Sequence, residues 1–160
     1  MNEALPQLYL VSHGGTAWWI SGQHTGRTDI LLIERGGHAA QELRARLKDL
    51  SFAKVFTSPL QRALQTAELA GFGVSAESDP DLMEWDYGDY EGRRMVDIRA
   101  EHSGWRLFED GCPGGETLLE VATRADRVSA RIRALESKVL VFAHRDIFAR
   151  SSQVGLDCPL

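Results

Sequence analysis

Two short apolar runs, one near each end of the chain, are each followed closely by a histidine. Residues 8–11 precede Ser12 and His13, and residues 139–142 precede Ala143 and His144. Short aliphatic and β-branched runs are typical of strands that are buried on both faces of a parallel sheet. Ligands bind in the crevice beyond the carboxyl ends of such strands. We therefore predict that His13 and His144 open into one crevice.

Helical and strand patterns alternate between these two runs. Apolar spacing and turn signals predict helices over residues 34–50, 58–70, 95–102 and 116–135, and strands over residues 54–57 and 74–77. Ser58 and Pro59 are typical of the cap and first turn of a helix. Residues 16–29 are expected to be irregular, and residues 80–92 to form a functional or capping loop. Strands that alternate with helices indicate an α/β fold with a mostly parallel sheet.

Length and charge narrow the classes of partner. The chain has 160 residues, of which 43% are apolar, and this predicts a single domain over residues 1–160. A net charge of −5 argues against a nucleic-acid surface, although a local basic pocket for a small anion is compatible with it. No apolar stretch approaches the roughly 20 residues of a membrane span, and residues 1–6 lack a signal-peptide pattern. We expect a cytoplasmic protein that binds neither membrane nor nucleic acid.

The two cysteines carry no functional signal. Cys112 and Cys158 lie far apart and show neither a CxxC pair nor metal-ligand spacing. Two unpaired thiols in a reducing compartment are the expected state.

Two residues, His13 and Arg62, and an acidic segment over residues 84–91 are the candidates for the chemistry. His13 precedes two glycines, so a ligand can approach its ring closely while glycine amides face an anion. Arg62 lies in the first turns of a helix that follows a strand, and its planar guanidinium could grip phosphate in the same crevice. The other histidines, His24, His38 and His102, are expected in surface or turn positions.

Residues 84–91 offer four carboxylates in eight residues. Any of them could act as a general acid if neighbouring aromatic rings exclude water from it. A Mg²⁺ or Ca²⁺ site is an alternative use of these acids, although the spacing does not match an EF-hand loop. A solvated acidic loop is the third interpretation.

Taken together, these pieces resemble the histidine phosphatase superfamily, whose fold is phosphoglycerate mutase-like. The resemblance covers residues 8 to about 150, in order, through His13-Gly14, SGQHTGRTD at 21–29, ERG at 34–36, TSPLQRA at 57–63, EWDYG at 84–88, PGGE at 113–116 and FAH at 142–144. The amino-acid sequence at 21–26, 84–92 and 110–112 is most similar to the sugar-bisphosphatase and small bacterial phosphatase branches. The resemblance implies a three-layer α/β/α fold.

The resemblance also implies roles for individual residues. His13 would attack the phosphoryl group, Arg62 and His144 would bind its oxygens, and Glu84 would protonate the leaving alcohol. The remaining phosphate-binding positions would be Ser12, Gly14, Thr25 and Gly26. The partner would be a small phosphorylated substrate, and neither a metal nor another cofactor would be needed.

Several positions depart from the family pattern. Ser12 stands where the family has an arginine, Gly15 and Trp19 stand where it has polar residues, and Arg145 stands where it has a glycine. Losing one charged phosphate contact typically costs about 1.5–3 kcal/mol, so we expect a weakened enzyme. Arg145 could either supply the missing charge or block the pocket. After about Ile147 the expected apolar helix becomes the polar sequence ARSSQ at 149–153, and relatives usually continue through a further strand beyond the position of Leu160.

Three functions are compatible with these observations. The first is a metal-independent phosphatase that acts on a small phosphorylated metabolite, with sugar phosphates among the candidates, through a phosphohistidine. The second is a catalytically degenerate relative that still binds phosphate. The third is a mutase that returns the phosphoryl group to its substrate; the short loop after Gly92 argues against it.

Overall fold

A four-stranded parallel sheet forms the centre of the fold. The computed structural model describes residues 7–149, except for the side chain of Phe148. The strands are β1 (Leu8–Ser12), β2 (Lys54–Thr57), β3 (Ala76–Ser78) and β4 (Val139–Ala143), in the spatial order β1-β4-β2-β3. Every pair is parallel, and Ser12 lies opposite Ala143. The predicted α/β fold is confirmed, and His13 and His144 leave adjacent strands at the same edge.

Among residues 7–149, seven helices surround the sheet. They are α1 (Ala17–Ser21), α2 (Glu34–Leu47), α3 (Gln61–Leu69), α4 (Met95–Glu101), α5 (Leu107–Asp110), α6 (Leu118–Arg133) and α7 (Arg145–Ala149). Within residues 80–92 there are two short 3₁₀ turns, Pro80–Leu82 and Gly88–Tyr90.

Two local predictions were wrong. The helix predicted from Ser58 begins at Gln61, because the Ser58 hydroxyl lies between the Leu60 N–H, at 3.3 Å, and the ring of His144. The stretch predicted to be irregular contains α1, whose first turn is capped by Thr16 Oγ1 accepting the Trp19 N–H at 3.2 Å.

Alternate side chains of β4 pack on opposite faces of the sheet. Val139, Val141 and Ala143 join the cluster that includes α6, whereas Leu140 and Phe142 join the cluster that includes α2 and α3. All five residues of β4 are buried, as predicted for a central strand. Helices therefore cover both faces and complete the three-layer α/β/α arrangement.

Close backbone contact holds the start of α2 against the loop after β1. A Cβ atom on Gly14 would lie 2.4 Å from the carbonyl oxygen of Gly36, and the Ile33 N–H donates to the Gly15 carbonyl at 3.0 Å. Only glycine fits at position 14, and this contact fixes the backbone next to His13.

Within residues 7–149, no helix is long and apolar enough to cross a membrane. Cys112 is a free thiol, and burial raises its pKa to about 12. Cys158 and the polar sequence after residue 149 lie outside the described residues.

Candidate active site

A cavity of about 800 Å³ opens at the carboxyl ends of the strands. The loop after β1 supplies Ser12, His13 and Gly14 to its wall, and the loop before the second 3₁₀ turn supplies Glu84. Arg145 lies on the same wall. Two of the four predicted catalytic residues, His13 and Glu84, thus line one cavity. The cavity lies at the carboxyl ends of the strands, where the sequence predicted the ligand crevice.

The ring of His13 is held in one orientation and is uncharged at neutral pH. Its Nδ1 lies 2.7 Å from the carbonyl oxygen of Gly14. A carbonyl only accepts, so Nδ1 carries the proton and Nε2 keeps its lone pair. Burial lowers the pKa of His13 to about 4; the bond to Gly14 opposes this effect, and the charge of Arg62 adds to it. His13 therefore has the properties of a nucleophile.

His144 is fully buried and does not line the cavity, so the prediction that both histidines open into one crevice holds only for His13. The centroids of the two rings are 5.2 Å apart. His144 Nε2 lies 2.7 Å from Ser58 Oγ, and its Nδ1 is buried with no hydrogen-bond partner among the described residues. Burial, followed by the charge of Arg62, lowers the pKa of His144 well below its usual value. Because the Ser58 hydroxyl can donate to Nε2, Nδ1 is available as an N–H donor.

Arg62 is also fully buried, in the first turn of α3. Its Nη1 donates to the Thr28 carbonyl at 3.0 Å, and its Nη2 donates to the carbonyls of Gly26 at 2.7 Å and Thr25 at 3.3 Å. Nε is buried without a partner in the described part of the chain. Carbonyls of the 25–28 segment therefore accept three of the five N–H groups of this guanidinium, and Nε is the nitrogen without a partner. The phosphate contact predicted for Arg62 stays a prediction, in which Nε is the available donor.

Glu84 combines deep burial with three backbone hydrogen bonds. Its Oε1 accepts the N–H groups of Trp85 at 2.9 Å and Ile147 at 3.1 Å, and its Oε2 accepts that of Asp146 at 3.2 Å. Burial, followed by the negative charge of Asp146, raises the pKa of Glu84 to about 7. A carboxyl group with this pKa is suited to donate a proton near neutral pH and then to accept one.

The other predicted phosphate-binding residues have divided roles. Ser12 is exposed and Thr25 also lines the cavity, but the Gly14 N–H donates to Thr66 Oγ1 at 3.1 Å. The Gly26 N–H donates to Glu91 Oε2 at 3.1 Å. The expectation that the Gly14 amide faces an anion is therefore corrected, because this N–H already has a partner within the protein, and so does that of Gly26.

Arg145 does not close the cavity. Its side chain is exposed at the rim, where Nε lies 3.3 Å from Asp146 Oδ1. Arg35 is exposed on the same cavity, and no hydrogen bond or ion pair joins it to another described residue.

Sequence reasoning missed two residues of the wall. Asp146 is buried beside Glu84 and accepts a hydrogen bond from the hydroxyl of Tyr87. His24, expected at the surface or in a turn, has its ring centroid 5.0 Å from that of Tyr87, and burial lowers its pKa. An acid two positions after His144 was the only signal for Asp146, and no sequence signal singled out His24.

The carboxylates of residues 84–91 mostly accept hydrogen bonds from backbone N–H groups. Glu91 accepts the N–H groups of Gly26 and Arg27, the latter at 2.7 Å, and Asp86 Oδ1 accepts that of Gly88 at 2.9 Å. Over residues 7–149, no group of three or more histidine, cysteine, aspartate or glutamate side chains is arranged to hold a metal ion.

Comparison with known proteins adds independent information. The family profile of the histidine phosphatase superfamily (branch 1) matches residues 8–151. An acid phosphatase of Mycobacterium tuberculosis is 37% identical over 148 residues, covering 91% of this chain and 72% of that protein. The sedoheptulose 1,7-bisphosphatase of Saccharomyces cerevisiae is 34% identical over 176 residues, covering 90% and 65%. The solved mycobacterial glucosyl-3-phosphoglycerate phosphatase is similar with a TM-score of 0.80 at 26% identity, covering 91% and 76%.

Proposed function

Because the chain belongs to the histidine phosphatase superfamily, we propose that it hydrolyses a small phosphomonoester through a phosphohistidine on His13. The observation that carries this proposal is the neutral ring of His13, with Nδ1 held by a carbonyl and Nε2 free, on the same cavity wall as Glu84. This pairing supplies a nucleophile and a proton donor without a metal-activated water.

In the first step, Nε2 of His13 attacks phosphorus. The new N–P bond forms as the P–O bond to the alcohol breaks, and protonated Glu84 gives its proton to the departing oxygen. In the second step, water attacks the phosphohistidine, the Glu84 carboxylate takes a proton from that water, and the N–P bond breaks. Inorganic phosphate leaves, and both residues return to their starting states.

Three nitrogen groups support the transferring oxygens in this proposal. His144 Nδ1 and Arg62 Nε are buried, and neither has a hydrogen-bond partner in the described part of the chain. Such donors gain a partner when a phosphoryl group is attached to His13, and charge that develops there is stabilised. Arg35 adds a cation on the cavity wall.

Trapping the intermediate tests the proposal. Incubation with a radiolabelled phosphomonoester, followed by rapid denaturation in alkali, is expected to leave label on the wild type and none on His13→Ala. Glu84→Gln should slow turnover by about a hundredfold or more, the usual contribution of a general acid. Activity should survive chelation of divalent ions. His38→Ala, which changes an exposed histidine on α2, is the matched control and should behave as the wild type.

One observation favours the degenerate alternative: the backbone occupies both Nη atoms of Arg62, and Ser12 offers only a neutral hydroxyl. In that case the wild type would bind phosphate but show neither labelled enzyme nor turnover. Label that remains on His13→Ala, or activity that chelators abolish and Mg²⁺ restores, would contradict the phosphohistidine mechanism itself.

A further inference from the structure

The cavity is far larger than one phosphate group requires. Its volume of about 800 Å³ lies near the upper end of the range for pockets that enclose a whole organic ligand. Away from His13 and Glu84, large apolar side chains from α1, the start of α4 and α5 line it: Trp19, Ile20, Met95, Leu107 and Phe108.

This apolar wall is open to solvent. Trp19 is 66% exposed, Ile20 63% and Phe108 41%. Across the described residues, nine large apolar side chains are exposed, and four of them line this one cavity. Contiguous exposed apolar surface of this kind is typical of a ligand-binding or interaction site.

The wall is also held in place by the protein. Phe108 packs its ring edge-to-face on buried Trp85, with the centroids 5.6 Å apart. Asp110 Oδ2 accepts the Arg106 N–H at 2.6 Å and so closes the short helix α5 that carries Phe108. A fixed apolar surface binds a ligand without paying for its own ordering.

The position of Phe108 relates this wall to the chemistry. Glu84 is the proposed proton donor to the leaving oxygen, so the leaving group lies beside it. Trp85 is the next residue in the chain, and its ring contacts Phe108. Glu84 and Phe108 also line the same cavity, so the body of a leaving group that departs past Glu84 lies in the cavity that the apolar wall borders.

Two exposed arginines lie near this wall. Arg99 Nε donates to the Trp105 carbonyl at 3.1 Å, and Arg106 pairs with Glu109. Because cations also line the cavity, selectivity for an apolar body has to come from the exposed apolar side chains themselves.

We propose that the leaving group of the substrate is a flat apolar or aromatic group that binds against Trp19, Ile20 and Phe108. This inference rests on the proposed hydrolysis for its orientation, and it names the class of substrate: the phosphomonoester of an alcohol that carries an aromatic or similarly apolar body, in preference to a polyol phosphate or bisphosphate.

Benzyl phosphate, ethyl phosphate and fructose 1,6-bisphosphate are the probes for activity. Benzyl phosphate should have a KM at least about tenfold below that of the other two, which corresponds to about 1.4 kcal/mol of binding. Phe108→Ala should raise KM for benzyl phosphate by about the same factor and should change kcat/KM for ethyl phosphate by a much smaller factor. Leu119→Ala, which removes an exposed apolar side chain away from the cavity, should change neither value.

A binding measurement separates this inference from turnover. Benzylphosphonate and ethylphosphonate cannot be hydrolysed, and titration calorimetry should give benzylphosphonate the tighter affinity, which Trp19→Ala weakens. Turnover without a preference for benzyl phosphate would overturn the inference and leave the hydrolysis intact. Tight benzylphosphonate binding without turnover would overturn the proposed hydrolysis and leave the apolar binding site intact. If Trp19→Ala and Phe108→Ala instead convert a dimer to a monomer with no effect on phosphonate affinity, the wall is a contact between two copies of the chain, and the inference is wrong.

Discussion

The pH dependence of turnover offers a quantitative test of the roles of Glu84 and His13. Glu84 must be protonated to donate, and burial together with the charge of Asp146 raises its pKa to about 7. His13 must be neutral to attack, and burial lowers its pKa to about 4. We expect kcat/KM to be highest between about pH 4 and about pH 7. It falls above that window as Glu84 loses its proton and below it as His13 gains one.

Asp146→Asn is the informative perturbation. The amide keeps the shape of the side chain and can still accept the hydroxyl of Tyr87, but it removes the negative charge beside Glu84. A rise in the pKa of Glu84 from 4.5 to about 7 corresponds to about 3 kcal/mol of preference for the neutral form. Burial is the larger cause, so removing the Asp146 charge should move the alkaline limb to lower pH by less than half of the rise from 4.5 to about 7.

The assay is kcat/KM for one phosphomonoester across the acid, neutral and alkaline range. Because the substrate phosphate titrates near pH 6, Glu84→Gln identifies the source of the alkaline limb: its residual activity should lack that limb. Asp126→Asn, at an exposed position on α6, should leave both limbs in place. An alkaline limb that stays unmoved in Asp146→Asn, or that moves to higher pH, would refute the role assigned to this charge.

Two further substitutions test the loop after β1. Ser12 is exposed on the cavity wall, so Ser12→Arg has room for its guanidinium and should raise kcat/KM or phosphate affinity by about tenfold, or about 1.4 kcal/mol. Adding Arg145→Gly to this variant should change kcat/KM little. A gain that is seen only in the double variant would mean that Arg145 obstructs the site. Gly14→Ala would place a Cβ 2.4 Å from the Gly36 carbonyl oxygen and should destabilise the protein by about 1–3 kcal/mol in chemical unfolding. The matched variant Gly37→Ala meets only a methyl group at 3.6 Å, so a similar loss there would contradict this packing argument.

Much of the architecture was predictable from local sequence patterns. The apolar runs before His13 and His144 indicated strands, and the helical spacing between them indicated an α/β order. Burial on both faces was predicted correctly for β4 but not for β1, which is an edge strand with half-buried residues and an exposed Ser12. The residues alone did not separate Glu84 from the other three acids of residues 84–91; the family resemblance singled it out. Apolar periodicity reports burial directly, so the strands and helices needed no knowledge of distant contacts.

The tertiary structure decided which polar groups remain available. Arg62 donates both Nη atoms to carbonyls more than 30 residues earlier in the chain, and the Gly14 N–H is bound by Thr66, 52 residues later. The charge that shifts the pKa of Glu84 comes from Asp146, 62 residues away. Residue type shows what a side chain can donate or accept. Its actual partner depends on segments that only the folded chain brings within hydrogen-bonding distance. A buried polar group without a partner destabilises the fold, so most buried donors are bound by whichever acceptors lie near them in the folded chain.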